Sequence, residues 1–199
     1  CFISVDADDA LAAADAADAA QARGDSLGPL HGVPLAHKDL FYRAGKVATC
    51  ASAIRRDWKA DVTATAVARL EAAGAITLGG LNMAEFAIGP TGHNPHWGHC
   101  RNPWDPDYIS GGSSSGSGSA VGGRCIFGAL GSDTGGSIRL PANFCGVVGL
   151  KPTQTRISRY GAMPVSFSLD CFGPLARTPR DVARLMQVIA GHDAQDPTS

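Results

Sequence analysis

A chain of 199 residues, 44% of them apolar and 18% charged, can bury one sizeable core, so one globular domain spanning 1–199 is expected and disorder is not. Its 17 basic and 18 acidic side chains leave a formal charge of -1, with no cationic surplus for a polyphosphate backbone, which argues against nucleic acid and for a neutral or small partner. The six cysteines include no C-x-x-C pair, and no apolar run approaches the roughly 18 residues that cross a bilayer, so a reducing, cytoplasmic setting away from membranes is expected.

The chain opens at Cys1 rather than at methionine and shows no signal peptide, so its natural start is expected to be missing. Residues 9–23 are almost all alanine and aspartate, which propagates helix well but offers little apolar bulk, and an exposed helix is predicted. Gly28-Pro29-Leu30-His31-Gly32 breaks that pattern and leads into a short extended stretch, 33–38, with Lys38 at its end. The spacing of Val62, Ala66, Val67 and Leu70 predicts a helix over 61–74, followed by a buried strand over 75–78. The same alternation recurs over 119–132. A last helix is predicted over 179–190, with Thr178 as N-cap and Val182, Leu185, Met186 and Ile189 facing inward. The fold class is α/β, with neither an internal repeat nor an interdomain linker.

Residues 110–120 are biased, ten of the eleven being Gly or Ser. Composition alone suits a flexible linker. Their setting does not: an apolar, helix-capable stretch over 120–130 follows directly, and then a second glycine-serine cluster, Gly131 to Ser137. Loops of this kind bring backbone N–H groups close to a ligand, either a phosphate or a developing oxyanion. The phosphate reading fails in detail, because Gly111 and Gly116 have Walker spacing but Ser117 stands where the lysine belongs. Gly112-Ser113-Ser114-Ser115-Gly116 matches a G-x-S-x-G elbow with Ser114 as nucleophile, but the turn-like 104–108 precedes it where a strand is needed. His93, His96 and His99 with Cys100 have the residue types of a metal site, yet Pro95 and Gly98 keep them off one helical face. Lys38 is the sharper clue. Buried against the serine-rich loops, a lysine loses its charge readily and becomes a base that can activate a serine.

Gly111-Gly112-Ser113-Ser114, then the run from Gly131 through Ser137 to Ala142, then Cys145 to Thr153, closely resemble the amidase signature family. Gly28 to Pro34 leading to Lys38-Asp39, Thr49-Cys50-Ala51-Ser52, Asn82-Met83, Ser158-Arg159-Tyr160-Gly161 and Gly173 to Thr178 extend the resemblance over nearly the whole chain. It implies a mixed central sheet flanked by helices, and a Ser-cisSer-Lys triad of Lys38 as base, Ser113 as relay and Ser137 as nucleophile. It further implies an oxyanion hole from the N–H groups of Thr134, Gly135, Gly136 and Ser137, with Ser114 helping to hold Lys38 and with Asp133 and Arg139 fixing the loop. The mechanism it implies uses no metal and no organic cofactor. Ser115 departs from the glycine common in the family, and His37 from an aliphatic residue, where it is expected to tune the lysine or to touch substrate.

Members of the family are typically more than twice this long, so only the N-terminal portion of the fold is expected here, and alone it is expected to be poorly soluble or inactive. The resemblance implies an amidase acting on a small carboxamide, as a monomer or homodimer. A second reading is the glutaminase component, the A subunit, of the tRNA-dependent amidotransferase, which passes ammonia to partner subunits; Leu140, where that component commonly has glutamine, favours the first. A third is a scaffold or binding module without turnover, against which the retained triad argues.

Overall fold

The computed structural model describes residues 1–199. In chain order it contains β1 (Phe2–Val5), α1 (Ala7–Arg23), β2 (Pro34–Lys38), α2 (Thr65–Ala72), β3 (Ile76–Leu81), α3 (Ser115–Gly122), β4 (Gly128–Asp133), α4 (Arg139–Phe144), β5 (Val148–Gly149), β6 (Cys171–Ala176) and α5 (Pro179–Ile189). The six strands form one sheet in the order β1-β3-β2-β4-β6-β5. β2 is parallel to both β3 and β4, whereas β1, β6 and β5 join antiparallel, so the sheet is mixed as expected.

Alternation along the strands divides the core. Leu35 and Leu130 belong to the larger apolar cluster, with Val67 and Leu70 of α2 and Val182, Leu185 and Ile189 of α5. Ala36 and Ala129 pack on the other side with Ala120 and Val121 of α3. α5 follows its pattern closely: Thr178 accepts the N–H of Asp181 at 3.1 Å, Pro179 fills the first turn, and Met186 packs against the same cluster from its edge. α1 is a helix with no buried residue, ended by Gly24 in the left-handed conformation. No helix is long and apolar enough to cross a membrane.

Expected boundaries move: α2 is Thr65–Ala72 rather than 61–74, which leaves Val62 outside it, β3 runs on to Leu81 rather than ending at 78, and the largest shift is in the next helix. The helix lies within the glycine-serine tract, at Ser115–Gly122, rather than in the apolar stretch after it, and Ala129 and Leu130 belong to β4. Seven of its eight residues are buried. A Cβ at Gly116 would stand 2.4 Å from the carbonyl oxygen of Cys1 and 2.6 Å from the N of Asn82, so only glycine lets the helix seat there. Close packing overrides poor helix propensity. From Ser115 on the tract is a buried helix, in line with its setting and against the linker that composition alone would suit.

After β2 the chain turns to β3 on one side and later returns as β4 on the other, so the carboxyl ends of β2 and β4 flank a switch point of the sheet. Crevices outside such strand ends are where open α/β sheets hold ligands. Lys38 and Asp133 are the last residues of those two strands.

Candidate active site

Lys38 is fully buried, and its Nζ donates to Ser113 Oγ at 2.7 Å and to Ser132 Oγ at 2.8 Å. No carboxylate lies within ion-pair distance of it. Burial therefore dominates its titration and pulls its pKa down to about 7, against the opposing pull of the negative charges of Asp133 and Asp170. An amine in that range is available as a base near neutral pH.

Ser113 is buried at the turn before α3, the Gly112–Ser113 peptide is cis, and the Ser113 carbonyl accepts the N–H of Ala84 at 3.1 Å. The expected contact of Ser114 with the lysine is not made. Its hydroxyl instead donates to the Ser132 carbonyl at 3.2 Å and accepts the Ser132 N–H at 3.3 Å, while its N–H donates to the Ser137 carbonyl at 3.2 Å. Ser114 thus fastens the Ser113 turn to the strand and loop that carry the other serines. So engaged, and fully buried at the mouth of a helix, it is not the exposed serine of an elbow. Ser132, which sequence reasoning missed, takes the place foreseen for Ser114. Its only signal was its position in the second glycine-serine cluster, at the end of a strand.

Ser137 lies half-buried in the loop between β4 and α4, and its hydroxyl makes no hydrogen bond within the protein. The N–H groups of Thr134, Gly135 and Ser137 are likewise unpaired. The N–H of Gly136, expected to join them, donates to Asp133 Oδ1 at 2.8 Å. Asp133 is fully buried and also accepts the N–H groups of Ile138 and Arg139 and, bidentately, the Arg139 guanidinium at 3.0 and 2.9 Å. Burial would raise its pKa, but these donors outweigh it and the pKa is lowered. One carboxylate with that many donors curls the chain from β4 into α4, which is more than a surface ion pair does.

His37 stands beside Lys38 in the strand but is directed elsewhere: its Nε2 lies 3.5 Å from Thr77 Oγ1, and its buried Nδ1 has no partner. Burial pushes its pKa down to about 3. It is not among the groups that shift the Lys38 pKa, so the expected tuning of the lysine is not seen. The extra hydroxyl of Ser115 donates to the Asn82 carbonyl at 3.3 Å and makes no hydrogen bond to Ser113, Ser114, Ser132 or Ser137. The histidine loop does not gather three ligating side chains: the His93 and His99 rings lie tilted against each other at 4.6 Å between centroids, and His96 faces Glu85 at 3.1 Å. All six cysteines are free thiols.

The amidase family profile matches residues 1–199. Over 198 residues the chain is 50% identical to the A subunit of the glutamyl-tRNA(Gln) amidotransferase of Moorella thermoacetica, a match covering 100% of this chain and 41% of that one. Among solved structures, the native peptide amidase of Stenotrophomonas maltophilia superposes with a TM-score of 0.94 at 40% identity, over 99% of this chain and 41% of that one. A member of a vestigial complex, described as revealing the origins of an s-triazine catabolic enzyme, superposes with a TM-score of 0.97 at 47% identity, over 99% of this chain and 43% of its own. The chain spans about two fifths of the length of the relatives it matches.

Proposed function

The chain belongs to the amidase family, and on that footing we propose that it carries the catalytic core of an amidohydrolase in which Ser137 attacks a carboxamide, Ser113 relays the proton and Lys38 is the base. The observation that carries this reading is a buried amine with no counter-ion, held by the Ser113 hydroxyl, while Ser137, whose carbonyl accepts the N–H of Ser114, keeps a free hydroxyl on a loop with three unpaired N–H groups. As Ser137 Oγ bonds to the carbonyl carbon, its proton passes to Ser113 Oγ and the Ser113 proton passes to neutral Lys38. The C–N bond then breaks while the relay returns a proton to the leaving nitrogen. Water cleaves the resulting ester, and the serine is regenerated. The N–H groups of Thr134, Gly135 and Ser137 face the developing oxyanion, each such donor being worth on the order of 100-fold or more in rate. These steps call on no metal or organic cofactor.

The substrate of this reading is a small carboxamide, hydrolysed without partner subunits. A reducing, cytoplasmic setting accords with six unpaired thiols. Kinship with the A subunits of amidotransferases, at 50% identity, favours a second reading in which glutamine is hydrolysed and the ammonia passes to partners. Ammonia release by the full protein from simple carboxamides and from glutamine, with and without partner subunits, separates the two. Ser137→Ala and Lys38→Ala are each expected to lower turnover by about a thousandfold or more. Turnover that survives Ser137→Ala rejects the proposed chemistry.

A further inference from the structure

Asp170 was singled out by no motif, yet it touches the site. It is buried, it closes the turn that precedes β6, and no cation pairs with it. Its two carboxylate oxygens serve different parts of the chain. Oδ1 accepts the Thr134 hydroxyl at 2.5 Å, whereas Oδ2 accepts the N–H groups of Val165 and Ser166 at 2.8 and 2.9 Å. The turn is closed on itself by the Asp170 N–H, which donates to the Ser166 carbonyl at 2.9 Å. On its outer side it walls a cavity of about 210 Å³ shared with Tyr160, Phe167 and Phe172.

The loop it reaches is flexible by composition. Thr134 presents an unpaired N–H, and two glycines follow it. Asp133 grips the far side of Gly135 through the Gly136 N–H. On the near side the Thr134 side chain has one anchor, and that anchor is Asp170. We propose that Asp170 is a positioning residue for the reaction, its carboxylate holding Thr134, and with it the leading donor of the oxyanion loop, against the turn at 165–170. This rests on the assignment of that loop to the oxyanion in the proposed mechanism. Asp170 also acts at a distance: its negative charge and that of Asp133 at the end of β4 both favour the protonated form of Lys38, while the nearby Cys50 thiol, its pKa pushed up to about 12 by burial, stays neutral.

The two actions separate experimentally in the full protein. Thr134→Val removes the anchored hydroxyl but keeps the backbone N–H, and is expected to lower kcat by about 10- to 100-fold while KM stays within about threefold. Thr134→Ser restores the hydroxyl and is expected to recover most of the loss. Asp170→Asn can still bond Thr134 and the two backbone N–H groups but lacks the charge. Lys38 then releases its proton more easily, and the acid limb of the kcat/KM profile moves to lower pH. A purely structural role would lower Tm and leave kcat of the folded protein and the limb where they were. Folded Thr134→Val with kcat within about twofold of the parent, or a loss that Thr134→Ser does not recover, overturns the proposal, and an unmoved limb in Asp170→Asn overturns its electrostatic action on Lys38 alone. Ser137→Ala in the same assay guards the underlying reading: if it retains turnover, the mechanism itself has failed, whereas an inert Ser137→Ala beside a fully active Thr134→Val defeats only the role of Asp170.

Discussion

Helix α1 is built of alanine and aspartate, the first of these the best helix former, and buries none of its 17 residues, whereas α3 is Ser-Gly-Ser-Gly-Ser-Ala-Val-Gly and buries seven of eight. Local preference accounts for the first and cannot account for the second. α1 forms because its residues favour helix wherever they are, and ion pairs from Lys46 to Asp6 and Asp9 and from Arg43 to Asp6 tie its start to the body. α3 forms because the space beside β2 and β4 admits a backbone but few side chains, and its hydroxyls find carbonyls inside the protein, Ser117 at Leu130 and Ser119 at Arg101. In this molecule the helix beside the candidate site is the one that propensity disfavours.

The contrast can be broken most forcefully at Gly116. Alanine there improves helix propensity by about 1 kcal/mol but drives a Cβ into the backbone of Cys1 and Asn82, so Gly116→Ala is expected to destabilise by about 3 kcal/mol or more. Denaturant unfolding measures it, and a stabilised variant would mean that α3 is governed by propensity after all.

An intermediate effect is expected where α3 and its turn keep Lys38 dry. The folded pKa of about 7 lies below the ordinary 10.5, so between those values the unfolded chain binds the extra proton. Stability then rises with pH across that window, is fully present above about 10.5 and is lost as pH falls through about 7. Lys38→Met has no such proton to bind. Its stability advantage over the parent should be on the order of a few kcal/mol at pH 6 and shrink toward pH 10, in unfolding curves taken side by side. Parallel curves would mean that the amine is hydrated.

The smallest effects belong to α1. Ala16→Gly should cost about 1 kcal/mol, the propensity difference alone, and Leu11→Gln less than about 0.5 kcal/mol. Larger losses at either position by thermal unfolding would show that α1 is packed against something.

The same divide explains what could be read from the sequence. α1, α2, β2, β3 and α5 carry their own signals: alanine content, an apolar period of 3.6, a short apolar run, a threonine cap before proline. β6 contains Gly173 and Pro174, residues that ordinarily argue against a strand, and it forms because β4 and β5 pair with it on either side. β4 holds two glycines for a similar reason, since a Cβ at Gly131 would stand 2.9 Å from Ser114 Oγ. In the site, the resemblance marked Lys38, Ser113 and Ser137, which lie inside recognisable runs. It gave no hint of Ser132 as the second partner of the lysine. Nor did it mark Asp170, whose hold on Thr134 joins residues 36 positions apart, a contact that exists only once β6 lies beside β4.

The burial of Lys38 among small residues also sets how this scaffold can diverge. Its amine is held by two serines, and the helix that covers it offers scarcely a side chain larger than a hydroxymethyl group. There is almost nothing at the centre that substitution could reshape without evicting the backbone. Within this chain, room for larger side chains lies instead at the margin, at half-buried Leu140 and at the exposed Phe167 and Leu169 of the turn at Asp170.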